Sequence, residues 1–200
     1  MEKAMGKIMT AAAETRAAAG TMTNFRWKIA FLIFLISFVA YMDRVNLSVA
    51  TPVIMQEFGF TKIDMGFIQT CFFASYALMQ VPGGILAEKF GMRKTGALAI
   101  LWWSVFTALT ALAKGKISFA AVRLAFGLGE GPVFPSLGAA TFTWFNKHEK
   151  GKASSSILLG TFFGPVVGPV ATVALMGLFG WHAVFIIFGL VGIVLAWVWH

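Results

Sequence analysis

Apolar residues fall in six long stretches, and the charged residues collect mostly in the short gaps between them. The stretches are 27–54, 63–87, 95–113, 117–144, 153–176 and 181–199. About 20 predominantly apolar residues carry a helix across a bilayer. Strands of a membrane barrel would alternate apolar and polar positions instead. Runs such as 29–39 do not alternate, so the pattern predicts six membrane helices. The connections 56–62, 88–94, 114–116 and 146–152 are too short for domains of their own.

Composition agrees with this reading. Of 200 residues, 58% are hydrophobic and 12% charged, against roughly 25% charged in a soluble domain. Mean hydropathy is +0.81. A soluble globule of this size could not cover so much apolar surface. Soluble enzymes, nucleic-acid modules, disordered chains and disulfide scaffolds are therefore excluded. The single cysteine, Cys71, sits in an apolar stretch and has no partner for an intrachain disulfide.

The net charge of +8 is read as loop charge, which orients a membrane protein. Lys3, Lys7, Arg16, Arg26 and Lys28 lie before or at the very start of the first span, Lys89, Arg93 and Lys94 follow the second, and Lys147, Lys150 and Lys152 follow the fourth. The opposite side carries only Lys62, Lys114 and Lys116. The bias predicts cytoplasmic termini. Trp27, Trp144, Trp181, Trp197 and Trp199 fall near span ends, as an interfacial aromatic belt requires. Residues 1–26 read as a cytoplasmic tail with an Ala-rich segment at 11–20. Met22 is an alternative start, in which case the upstream part is an artefact of start-site choice. Residues 27–200 read as one six-helix bundle.

Four charges lie deep inside the apolar stretches: Asp43 and Arg44 in the first, Arg123 and Glu130 in the fourth. Each costs about 2.5–3.5 kcal/mol at the bilayer centre even on a lenient scale, so such groups are functional candidates by default. At 1.5 Å per residue, Asp43 lies roughly 17 Å, and Tyr76 and Glu130 roughly 20 Å, from the outer ends of their spans. Three polar groups on three helices thus share one level. Arg123, Gly127 and Glu130 lie on one helical face, as do Gln69, Tyr76 and Gln80. The simplest arrangement turns these faces into a common polar cavity. The alternative is that Asp43 pairs with Arg123 and Glu130 with Arg44 merely to neutralise charge, and that Gln69, Tyr76 and Gln80 only bond neighbouring helices.

Gly127, Gly129, Gly131, Pro132 and Pro135 in the fourth stretch, and Gly160, Gly164, Pro165, Gly168 and Pro169 in the fifth, point to close helix packing and to bends. Gly127-Leu128-Gly129-Glu130-Gly131 lies inside a span and is not a nucleotide-binding turn, and Gly151-Lys152-Ala153-Ser154 lacks the upstream glycine of an ATP-binding loop. His148, His182 and His200 are dispersed, and no spacing suits a metal. No nucleophile–base set suggests an enzyme.

Specific motifs add a resemblance. Between the second and third stretches the chain reads Gly84-Ile85-Leu86-Ala87-Glu88-Lys89-Phe90-Gly91-Met92-Arg93-Lys94. This resembles the loop signature of the major facilitator superfamily, with Glu88 where Asp is usual and Met92 where a base is usual. Tyr41-Met42-Asp43-Arg44-Val45-Asn46, the run from Arg123 to Pro135, and Gly180-Trp181-His182 together resemble its anion:cation symporter branch. The likeness extends from about Tyr41 to the last residue.

The resemblance implies an all-α carrier of two six-helix halves, of which this chain is the N-terminal one, built from two inverted three-helix repeats, with the C-terminal half absent. It implies proton-coupled symport of an organic anion, a sugar acid first of all, through the bacterial inner membrane. Asp43 and Glu130 would carry protons. Arg44 and Tyr76 would contact the substrate carboxylate, joined by Tyr41, Asn46, Gln69, Gln80 and Thr161. Arg123 would pair with an acid. Gly84, Glu88, Lys89, Gly91, Arg93 and Lys94 would form a conformational latch. No cofactor is expected; the energy comes from the proton gradient. The expected partners are the anion, protons, lipid and the missing half, with no nucleic acid. The alternatives are a carrier of another anion or a neutral solute, and a non-transporting fragment or interaction subunit.

Overall fold

The computed structural model describes residues 25–200. The expectations for most of the tail, including Lys3, Lys7, Arg16 and Met22, lie outside the described residues. In hydrocarbon no water satisfies backbone N–H and C=O groups, so a spanning segment must bond to itself. Helix α1 covers Phe25–Phe58, somewhat beyond the predicted stretch at both ends. Helix α2, Lys62–Phe90, opens with a capping box: Thr61 Oγ1 accepts from Asp64 N–H, and Thr61 N–H donates to the Asp64 carboxylate. Lys116 at the start of α4 reaches the same carboxylate at 2.5 Å, which pins α2 to α4 at the end opposite the basic loops.

Helix α3, Met92–Leu109, tightens into a 3₁₀ turn at Thr110–Leu112. The fourth stretch forms two helices, α4 at Lys116–Glu130 and α5 at Val133–Trp144. Pro132 lies between them and has no N–H to continue the ladder. The break therefore comes immediately after Glu130.

The last helical element, α6, runs Lys150–Trp199, 50 residues. A straight helix of that length would measure about 75 Å, against roughly 30 Å of hydrocarbon. It is interrupted at Gly180, whose φ of 79° is open to glycine and strained for other residues. The two arms run in opposite directions. On the first arm, Gly160 abuts Ser37, Gly164 abuts Tyr41, and Thr172 bonds to Asn46, all in step along α1. On the second, Gly189 abuts Ala108 and Trp199 reaches Gly96, antiparallel to α3. Among the described residues, five helical stretches are long and apolar enough to cross a membrane, where the pattern predicts six. The counts differ because α6 holds two of the predicted stretches on either side of Gly180.

Helix α1 packs chiefly on α6, α2 on α4, and α3 on α6 and α4. Among the described residues, the two larger apolar cores lie toward opposite ends of the bundle. One gathers Ile33, Ile36, Ile100, Phe126 and Leu137; the other gathers Leu47, Ile54, Ile68, Phe119 and Phe185. Along α1, Asp43 and Arg44 fall between them. Trp181, expected in the interfacial belt, is instead buried in the second core, where its indole donates to Glu57 Oε2 at 2.7 Å and its ring packs edge-on against Phe58. Burying the ring leaves the N–H in need of a partner, and Glu57 provides one. Large apolar side chains such as Phe162, Val166 and Val170 stay exposed on the outside of α6, as a lipid-facing surface would have them.

Candidate functional site

Consecutive residues of a helix point about 100° apart, so Asp43 and Arg44 face different neighbours. Arg44 extends toward α4 and its Nε donates to Glu130 Oε1 at 2.8 Å. The Glu130 side chain is fully enclosed, whereas that of Arg44 is 14% exposed. Around the guanidinium stand Tyr76 at 4.4 Å, Tyr41 at 4.5 Å, Phe134 at 5.5 Å and Phe72 at 5.7 Å from the ring centroids. Aromatic faces attract the cation and shield it from water. They come from α1, α2 and α5, so three elements build one cage.

This ion pair is only half made. Arginine and carboxylate commonly join through two parallel bonds. Here Arg44 Nη2 and Glu130 Oε2 are buried and lack any hydrogen-bond partner among the described residues. The pair thus leaves one donor and one acceptor open. Buried polar atoms left in this way are rare and costly.

Asp43 turns the other way, into the bundle, and is 1% exposed. Its Oδ2 accepts from Trp103 Nε1 at 2.9 Å and from Thr107 Oγ1 at 3.5 Å, both on α3. Its Oδ1 accepts from Asn46 Nδ2 at 3.4 Å, and Asn46 Oδ1 accepts from Thr172 Oγ1 at 2.5 Å. Arg123 is 2% exposed and lies over Phe126 and Phe185 at 5.1 and 5.5 Å. Its Nε and Nη2 have no hydrogen-bond partner, and no carboxylate stands within ion-pair distance of it among the described residues. Asp43 and Glu130 are near enough to act on it electrostatically. Of the two pairings weighed from sequence, Arg44–Glu130 forms and Asp43–Arg123 does not close.

The remaining candidates are spread more widely. Gln69 is half-buried with an unpartnered Oε1, and Gln80 is half-buried. Asn46 is fully buried on the Asp43 side rather than beside Arg44. Thr161 bonds to the carbonyl of Leu158 on its own helix. In the loop, Glu88, Lys89 and Lys94 are exposed, Gly84 is half-buried, Gly91 makes the turn with φ 85°, and Arg93 donates to the backbone oxygen of His200. Glu88 forms no ion pair among the described residues. The basic end is tied instead by Arg26 and Glu149 at 2.9 Å. Among the described residues no group of three or more His, Cys, Asp or Glu side chains is placed to hold a metal ion.

Sequence reasoning missed Trp103, Thr107 and Thr172. A signal existed for Trp103: it lies mid-stretch, away from any interface, where an indole N–H must find an internal partner. Thr172 had none, because threonines bond readily to their own helix.

Comparison with known proteins points one way. The sequence model of the Major Facilitator Superfamily matches residues 33–200. A "Probable galactarate/D-glucarate transporter" of Bacillus subtilis (strain 168) is 35% identical over 90% of this chain and 41% of its own length. A D-galactonate transporter of Escherichia coli is 34% identical over 87% of this chain and 40% of its own. The chain thus spans about two-fifths of these relatives. In fold it resembles a bacterial homologue of the human lysosomal transporter Spinster, in an inward-facing and unoccupied conformation, with a TM-score of 0.79 and 21% identity over 88% of this chain and 43% of that one.

Proposed function

The chain belongs to the Major Facilitator Superfamily, and from that premise we propose that it is the N-terminal six-crossing half of a carrier that moves an organic anion together with protons. The family and these relatives are transporters, not enzymes. Sugar acids are the favoured substrate class, since relatives are named for galactarate, glucarate and galactonate. Relatives named for ascorbate and phosphate keep other anions in view.

The observation that carries the proposal is the half-made pair of Arg44 and Glu130. Arg44 Nη2 is a rigid, permanently charged donor with no protein partner, suited to a carboxylate. Glu130 Oε2 is an acceptor with no protein partner, suited to a proton. While Glu130 is ionised it neutralises Arg44 and competes with the substrate. Protonation removes that competitor, and Arg44 is released to hold the anion. Proton and anion then load together, with coupling set by their shared interaction with one guanidinium. Tyr41 and Tyr76 keep the guanidinium plane in place and exclude water. Asp43, bonded to another helix set, is proposed as the second proton carrier. Alternating access would come from the two halves rocking about this site, and the loop from Gly84 to Lys94 would bias one of the two states.

The test uses the complete carrier in sealed membrane vesicles with radiolabelled D-galactonate. Glu130→Gln and Asp43→Asn are each expected to abolish accumulation driven by an imposed pH gradient, because an amide cannot cycle a proton. At least one should keep substrate exchange. If both variants still accumulate D-galactonate against its gradient, neither acid couples transport.

A further inference from the structure

Asp43 is held asymmetrically, and the asymmetry reaches a helix it does not touch directly. An indole N–H only donates. With Trp103 fixed at 2.9 Å, Asp43 Oδ2 is committed as an acceptor. The other oxygen, Oδ1, meets only the long bond from Asn46 Nδ2 at 3.4 Å. A proton arriving at Asp43 therefore has one place to go. The amide beside that place is oriented from elsewhere, since Asn46 Oδ1 is gripped at 2.5 Å by the hydroxyl of Thr172 on α6.

We propose that Trp103 and Thr172 are positioning residues for the proton on Asp43, with Trp103 reserving Oδ2 as an acceptor and Thr172 holding the Asn46 amide against Oδ1 in whichever orientation the protonation state requires. The proposal rests on the reading of Asp43 as a proton carrier. With its N–H₂ toward Oδ1, the amide matches an ionised carboxylate. A protonated Oδ1–H needs an acceptor there, which the amide provides by turning over. A hydroxyl both donates and accepts, so Thr172 bonds the amide in either orientation. The pair Asn46–Thr172 thus reverses as a unit and carries the protonation state of an α1 side chain to the first arm of α6. All five side chains, Asp43, Asn46, Trp103, Thr107 and Thr172, are sealed from solvent, so no bulk water substitutes for a missing member. The charged groups acting on Asp43 are Arg123 and Glu130, both on α4. Neither bonds to it, which leaves the hydrogen-bond set on α3, α1 and α6 to direct the proton.

The experiment is a pH-induced difference infrared measurement on the purified complete carrier in lipid nanodiscs, which needs no substrate. The carboxyl C=O band missing from Asp43→Asn belongs to Asp43. Trp103→Phe and Thr172→Val are expected to shift that band, and Thr172→Ser to leave it in place, because serine retains the hydroxyl. Thr172→Val is nearly isosteric, so it carries the test if Trp103→Phe fails to fold. An Asp43 band with unchanged frequency in Thr172→Val overturns the positioning role while leaving the carrier reading intact. If no band disappears in Asp43→Asn, Asp43 does not take up a proton, and the carrier reading falls along with this proposal.

Discussion

Asp43 and Arg44 are neighbours in sequence but belong to different chemical surroundings. One turn of about 100° sends Arg44 into an aromatic cage with Glu130, and Asp43 into a hydrogen-bond set with Trp103, Thr107 and Asn46. A lysine at position 44 would keep the charge and lose the fork. It could not hold Glu130 through one nitrogen and offer a second, fixed nitrogen to substrate. Arg44→Lys is therefore expected to weaken D-galactonate binding to the complete carrier at least about tenfold, the size of one charge-assisted hydrogen bond. Arg44→Ala should be worse. Tyr76→Phe should cost less, because the ring face beside the guanidinium survives. Equilibrium binding of labelled substrate checks the order, and an unchanged affinity in Arg44→Ala would remove this residue from the site.

Between elements, the decisive contact is α1 against the first arm of α6. A Cβ placed on Gly164 would stand 2.7 Å from the carbonyl of Phe38 and from Tyr41 Cβ, so any larger side chain must push the helices apart. Gly164→Leu is expected to destabilise the bundle by about 1–3 kcal/mol, the usual cost of overpacking. It should also loosen the cage, since Tyr41 is one of its walls. Gly180 gives a contrasting case. A Cβ there meets nothing within 4 Å, so Gly180→Ala should cost only the backbone strain of its conformation (φ 79°, ψ 166°), roughly 1–3 kcal/mol, with substrate binding kept. Unfolding midpoints of the purified variants separate the two effects: if both lose equal stability with equal loss of substrate binding, the packing account of Gly164 is wrong.

At the scale of the molecule, the excess of Lys and Arg at one end of the bundle predicts which side faces the cytoplasm. In a background with Cys71 replaced by alanine, an impermeant thiol reagent added outside intact cells should label Lys114→Cys and spare Lys150→Cys. The reverse pattern would invert the orientation. Alternating access would need two halves rocking about the site, so the chain alone, reconstituted in sealed vesicles with an imposed pH gradient, should show no saturable uptake of D-galactonate. Saturable proton-driven uptake there would mean that these 200 residues suffice as a carrier.

Membrane class, the apolar stretches and the four embedded charges were all legible in the sequence, because hydrophobic length and the cost of burying charge act locally and need no neighbour. A bend in the fourth stretch was legible through its glycines and prolines, but its division into two helices after Glu130 was not. The partners were not. Whether Arg44 or Arg123 takes Glu130 depends on the rotation of α4 against α1, which is set by packing summed over both helices. Asn46 carries the same polar group whether it faces a substrate or Thr172 on a helix 126 residues away. The two arms of α6 were visible as separate stretches, yet their opposite directions follow from Gly180 and from the surfaces that receive them on α1 and α3. The sequence determined which groups must be buried at a cost; the tertiary structure decided who meets whom, because hydrogen bonds and ion pairs depend on ångström-scale geometry that no single segment contains.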